Sequence, residues 1–290
     1  MRPWDAPDQL IRRATIPAST DPENTDTDRA TDGRAGTSVL LNGLKVLEAF
    51  TIEEPLLGVT EIAGRVGMHK SSVSRILALL EQGHYVERDS TSGRFRLGLG
   101  VIGLAGPLLA DLDVRRAAHP ALERLCRSTG ETTALAVWNG QGAVVVEQVA
   151  STHKVKHTAA IGTRYEAPAN ASVQVFIAAR PAAEARTLFD RLTLAVGAPD
   201  PDAWDGYRAA LEDVRANGYA VNDGRTDAEE VGLAAPVHDH RGETVGAVLL
   251  SAPRFRVQQQ LIEPLARSVA DTAREIDERL GYRPGSQRGH

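Results

Sequence analysis

The sequence predicts an α+β protein: a small helical domain that ends in a β-hairpin, a connecting helix, and a larger mixed α/β domain. Three observations carry this. The chain has 290 residues, about two domains' worth at roughly 150 residues each. Apolar residues recur at helical spacing up to Gln82, then give way to two short alternating runs around a turn. Beyond residue 130, apolar runs of strand length are interleaved with amphipathic helices, the pattern of a largely antiparallel sheet covered by helices.

Composition removes several classes. An apolar fraction of 42% and a charged fraction of 24% are those of an ordinary globular protein. No apolar run approaches the roughly 18 residues of a membrane span. The single cysteine, Cys126, cannot form an internal disulfide or a multi-thiolate zinc site, and residues 1–20 lack the features of a secretory signal. These observations point to the cytoplasm.

Residues 1–37 carry five arginines against seven acidic groups and are rich in Pro, Thr, Asp and Gly, so they read as a disordered tail. Order begins at Ser38, an N-cap candidate, with Leu40, Leu44 and Leu47 on one helical face. Thr60 is the N-cap candidate of a brief helix with Ile62, Ala63 and Val66 inward, closed by Gly67. A second helix follows, with Val73, Ile76, Leu77 and Leu80 inward, and stops near Gln82–Gly83. The runs Tyr85–Arg88 and Arg94–Leu97 flank the turn 89–93. Helix, helix, turn, helix, hairpin is the order of a winged helix-turn-helix, here over residues 38–98.

Residues 99–113 form a linker helix that is apolar nearly all round, which predicts burial against a second subunit. Pro107 within it should start or kink a segment. The second domain spans 114–285. It should hold strands near 133–138, 143–149, 155–161 and 219–222, a hairpin of 231–237 with 245–251, and a last helix near 258–280.

The strongest chemical signal is the second helix of the helix-turn-helix. Lys70, Ser71, Ser72, Ser74 and Arg75 lie opposite its apolar stripe. A helix fits the major groove, where arginine and short hydroxyls read bases and lysine meets phosphate. Residues 38–97 have no net charge, whereas 70–96 carry a net +2, and Arg94 and Arg96 sit where a wing meets DNA. The competing reading is a solvated helix face.

Other motifs weigh less. Gly98-Leu-Gly100-Val-Ile-Gly103 matches a dinucleotide-binding pattern but follows a four-residue strand and precedes no parallel strand, so it is a decoy. His238-Asp239-His240 lies in a turn, and His153 with His157 has no third ligand in view. The sequence predicts no catalytic residues, no metal and no cofactor.

Several segments, in order and spacing, resemble the IclR-type bacterial transcriptional regulators from Ser38 to about Tyr282. They include Gly43-Leu-Lys-Val-Leu-Glu-Ala-Phe50, Lys70-Ser-Ser-Val-Ser-Arg-Ile-Leu77, Arg94-Phe-Arg-Leu-Gly98, Gly218-Tyr-Ala-Val221 and Ala234-Ala-Pro-Val237. The resemblance implies a winged-helix DNA-binding domain, a linker helix and a GAF-like effector-binding domain, assembled as dimers or dimers of dimers. It assigns the Lys70–Arg75 helix to the major groove and Arg94 to the wing. The chain departs from the family pattern where Asn170 takes a histidine's place, where a Gly-Lys pair is missing before Val175, and where Gly232 replaces a cysteine.

The sequence therefore predicts a ligand-responsive regulator that binds pseudo-palindromic operator DNA, not an enzyme and not a membrane protein. An enzyme or sensor that uses the winged helix for protein contacts is the competing function. For the effector, the start of a helix at Asn170, Ala171 and Ser172 offers unpaired N–H groups to a carboxylate. Arg164 is the candidate charge partner, and Leu135, Val137 and Ile161 the candidate apolar walls, for a small organic acid with an aromatic or aliphatic body, an aromatic one being the expectation. The competing reading is that Asn170 and Ser172 only cap their helix while Arg164 is solvated.

Overall fold

The computed structural model describes residues 34–51, 53–111, 113–197 and 203–283. The chain divides into two compact units between residues 111 and 112. The tail expected over 1–37 lies outside the described residues up to 33, and 34–37 already belong to the first helix.

The N-terminal unit contains α1 (Arg34–Glu48), α2 (Val59–Val66), α3 (Lys70–Gln82), the hairpin β1 (Val86–Arg88) and β2 (Phe95–Leu97), and α4 (Gly100–Asp111). Ser38 lies inside α1 and does not cap it. Val46 of α1, with Ala49 and Phe50 just beyond its end, packs with Ile62, Val73, Leu77, Val86 and Phe95. Leu40 is 70% exposed and Leu44 47%, the reverse of the inward face expected for them. The helix thus has two apolar stripes, and this unit covers one.

Gly58, not Thr60, caps α2: its N–H donates to the Glu61 carboxylate one turn on, at 2.7 Å. Gly67 ends α2 in the left-handed region (φ 66°), a conformation that glycine adopts without a Cβ clash. α4 runs through Pro107 without ending there.

In the C-terminal unit six strands form one antiparallel sheet in the order β5-β4-β3-β8-β7-β6. They are β3 (Thr132–Trp138), β4 (Ala143–Val149), β5 (Arg164–Tyr165), β6 (Ala220–Asp223), β7 (Glu230–His238) and β8 (Thr244–Pro253). The strand expected over 155–161 is absent: the segment runs without regular structure, and only 164–165 join the sheet.

Helices α5 (Asp113–Thr129) and α9 (Gln259–Arg279) cover one face of the sheet. The other face carries α6 (Ala171–Ala178), α7 (Ala182–Ala195) and α8 (Ala203–Asn217). Side chains alternate between the two layers. Ala134, Ala136, Ala247 and Leu249 face α6, while Leu135, Val248 and Leu250 face α5 and α9. Every residue of α6 is buried.

Candidate functional site

In the N-terminal unit α3 turns its apolar stripe inward, with Val73 and Leu77 fully buried. The opposite face leaves Lys70, Ser71, Ser74 and Arg75 exposed and Ser72 half-buried. His69, at the N-cap, makes no side-chain capping bond, and the first turn contains no acid. The opening N–H groups and the positive end of the helix dipole are therefore not offset by a local carboxylate. A shallow groove beside them is lined by Thr60, Gly64, Gly67, His69 and Lys70.

Ion pairing sorts the cations of this unit. Arg96 bonds its cross-strand partner Glu87 at 3.0 Å. Arg94 donates to the Leu56 carbonyl at 3.1 Å and to Glu61 at 2.6 Å. Its guanidinium ties the wing, where a DNA contact is expected, to α2. The Gly58 N–H above all, then the charges of Arg94 and Arg65, hold the Glu61 carboxyl below the usual carboxylate range. Arg88 bonds the Gly93 carbonyl and lies over the Phe95 ring. Lys70 and Arg75 have no ion-pair partner among the described residues. Among the described residues α3 thus carries two unneutralised cations, in addition to Lys45 on α1 and Arg88 in the hairpin.

Two glycines of the decoy motif, Gly98 and Gly100, have a packing role. A Cβ at Gly98 would collide with the His84 carbonyl, and one at Gly100 would lie 2.7 Å from it. The start of α4 presses on the turn after α3, where the Gly100 N–H bonds His84 O at 2.9 Å.

In the C-terminal unit a narrow cleft opens beside the start of α6. Tyr165, Asn170, Ala171 and Ser172 form one wall, and Glu230, Gly232, Leu233, Leu249 and Ser251 form much of the other. Asn170 Oδ1 accepts the Ser172 N–H at 3.0 Å and its hydroxyl at 2.7 Å, so Asn170 caps α6 and fixes Ser172. The buried Gln174 carboxamide donates to Ala169 O at 2.8 Å and braces the same turn. Burial, reinforced by the charge of Glu230, pushes the Tyr165 phenol up to about 12, leaving it a neutral donor at ordinary pH.

The structure brings Asn170, Ala171 and Ser172 together at this cleft and leaves out the other expected residues. Leu135 and Val137 pack under α5 and α9, on the opposite face of the sheet. Ile161 is exposed on a turn. Arg164 is exposed and pairs in register with Val144, so strand alternation puts it on the side away from Tyr165. Tyr165, Glu230 and Ser251 were not found from the sequence, because the β7–β8 register that delivers the last two is a long-range pairing.

Residues 39–90 match the model of the IclR helix-turn-helix domain, and residues 107–278 match that of the C-terminal domain of the bacterial transcriptional regulator IclR. The chain belongs to the IclR family. It is 31% identical to the glycerol operon regulatory protein of Streptomyces coelicolor over 236 residues, 79% of this chain and 90% of that one. A solved transcriptional regulator from Rhodococcus sp. RHA1 is 26% identical with a TM-score of 0.68, covering 84% of this chain and 98% of that one. An IclR homologue from Microbacterium hydrocarbonoxydans, solved in complex with 4-hydroxybenzoate, has the same fold. It is 24% identical with a TM-score of 0.68, covering 83% of this chain and 98% of that one. This IclR-family protein is a DNA-binding transcriptional regulator with a ligand-responsive C-terminal domain.

Proposed function

We propose that this IclR-family regulator reads a pseudo-palindromic operator as a dimer, with α3 in the major groove, and answers to a small organic acid held at the start of α6. The observation that carries the DNA reading is the exposed row on α3, in which Lys70 and Arg75 lack internal ion pairs while Arg94 and Arg96 are neutralised. Arg75 reads a base edge and Lys70 meets phosphate. Arg94 acts by holding the wing in place.

Dimerisation is supported by the apolar surface left open on the N-terminal unit. Leu99, Ile102, Leu104 and Leu108 around α4 are between 64% and 73% exposed, and Val39, Leu40 and Leu41 on α1 are exposed as well. A second copy covers such faces, and its two-fold axis is mirrored in the operator half-sites. A dimer of such dimers is the larger assembly open to it.

The effector reading rests on the polar groups that line the cleft: the α6 start beyond the N–H that Asn170 caps, the Ser251 hydroxyl and the Tyr165 phenol. Its agreement with a relative of the same fold that holds 4-hydroxybenzoate supports an aromatic acid.

The test is selection of an operator from random duplex DNA by the full chain, followed by footprinting. One protected inverted repeat is expected, weakened by added 4-hydroxybenzoate or a related acid. Failure to enrich any sequence, with the folded protein intact, overturns the reading.

A further inference from the structure

The tip of the β6–β7 hairpin carries Asp227 and Glu230, and the connection between β4 and β5 brings His157 beside them. One ligand atom from each, an imidazole nitrogen and two carboxylate oxygens, lie within 4.8 Å of one another. Neither carboxylate has a lysine or arginine within ion-pair distance among the described residues. His157 Nε2 sits 3.1 Å from the Glu229 carbonyl oxygen, which only accepts, so in the neutral ring Nε2 carries the proton and Nδ1 offers its lone pair. A carbonyl that fixes the tautomer in this way is the usual outer partner of a metal-ligating histidine.

Glu230 belongs to two neighbourhoods at once. It is also the one charged side chain among the described residues lining the effector cleft. Alone, its carboxylate repels the acid that the donors of the cleft would otherwise attract. With Arg164 facing away, no arginine or lysine of the lining offsets it. A bound cation at Glu230 would reverse the sign of that rim.

We propose that His157, Asp227 and Glu230 bind a divalent transition-metal cation of the zinc class at the rim of the effector cleft. One imidazole with two carboxylates is a donor set for borderline cations such as Zn²⁺, Co²⁺ and Mn²⁺. Three protein ligands leave at least one coordination position for water or an incoming carboxylate. The link to the effector rests on the cleft being its seat, whereas the cation site stands on the three ligands alone.

The experiment uses the full chain, stripped with a chelator and titrated with Co²⁺, whose visible bands report coordination directly, then with Zn²⁺ to displace it. One saturable equivalent per chain is expected. His157→Ala, Asp227→Asn and Glu230→Gln should each weaken uptake by at least about tenfold, since even outer partners of metal ligands are worth that much. Each variant is first checked by thermal melting in chelator, and those that melt as wild type decide the result. Absence of a saturable equivalent in the folded wild type, or uptake that the folded variants retain unchanged, overturns the site. A parallel calorimetric titration with 4-hydroxybenzoate separates the two readings. Cobalt uptake without acid binding supports the cation site and removes the effector assignment. With both intact, the acid binds the cobalt-loaded protein more tightly than the stripped one.

Discussion

The starts of α3, in the N-terminal unit, and of α6, in the C-terminal unit, treat the same backbone problem in opposite ways, one open to water and the other buried. Both helices begin with N–H groups that have no acceptor one turn back. At α3 these face water, uncapped by a side chain, beside Lys70 and Arg75. At α6 a buried start takes Asn170 as its cap, whose Oδ1 accepts both the N–H and the hydroxyl of Ser172. An exposed helix start tolerates missing acceptors because water supplies them until a polyanion arrives. A buried one needs side-chain acceptors from its own chain.

The largest test bears on the N-terminal side of this comparison and removes the open apolar surface. Ile102→Asp with Leu104→Asp should leave a folded monomer in light scattering and cost on the order of 100-fold in operator affinity, since each half-site then binds alone. Unchanged dimerisation would show that α4 is not the interface. Next, Arg75→Ala should cost about 1–3 kcal/mol of binding and relax specificity at one base pair. Lys70→Ala should weaken all sequences alike and lower the salt slope by about 1. Footprints and affinities indifferent to both would move the reading edge elsewhere.

A third comparison sets the two caps side by side. Asn170→Ala strips acceptors from a buried N–H and hydroxyl and should destabilise the C-terminal unit by about 1–2 kcal/mol. His69→Ala removes no capping bond and should leave the melting temperature in place. Equal effects in thermal melts would erase the distinction between open and sealed starts. The weakest expected effect on DNA binding is that of Arg94→Ala. Its pair with Glu61 is largely exposed and contributes little to stability. DNA affinity should still fall by less than for Arg75→Ala, with base preference unchanged, because the wing loses its tie to α2 and not a base contact.

Much of the N-terminal unit was legible because its contacts are local. The stripe Val73, Ile76, Leu77 and Leu80 orients α3, and Gly67 marks the turn before it. The partner of Arg94 was not legible, since Glu61 lies 33 residues away. In the sheet, alternation correctly groups Leu135 with Val137 but does not say which layer they meet. That depends on where α6 packs, and it packs on the alanines of β3. Residues 155–161 have strand-like composition, yet no strand pairs with them, since β5 takes the edge of the sheet beside β4. The cleft was half legible: its α6 side lies in one sequence segment, while Glu230 and Ser251 arrive through β7 and β8.

The full burial of α6 has a mechanical consequence. A helix with a solvent face absorbs a push by letting that face slide into water. This one has eight residues locked between β7, β8 and α8. Close-packed interiors are stiff and pass displacement on with little loss. The cleft is narrow, with room for about one water molecule as it stands. A ring-sized guest at Asn170 and Ser172 must therefore drive the rod against its neighbours like a wedge against a piston, and the sheet and α8 take up the stroke.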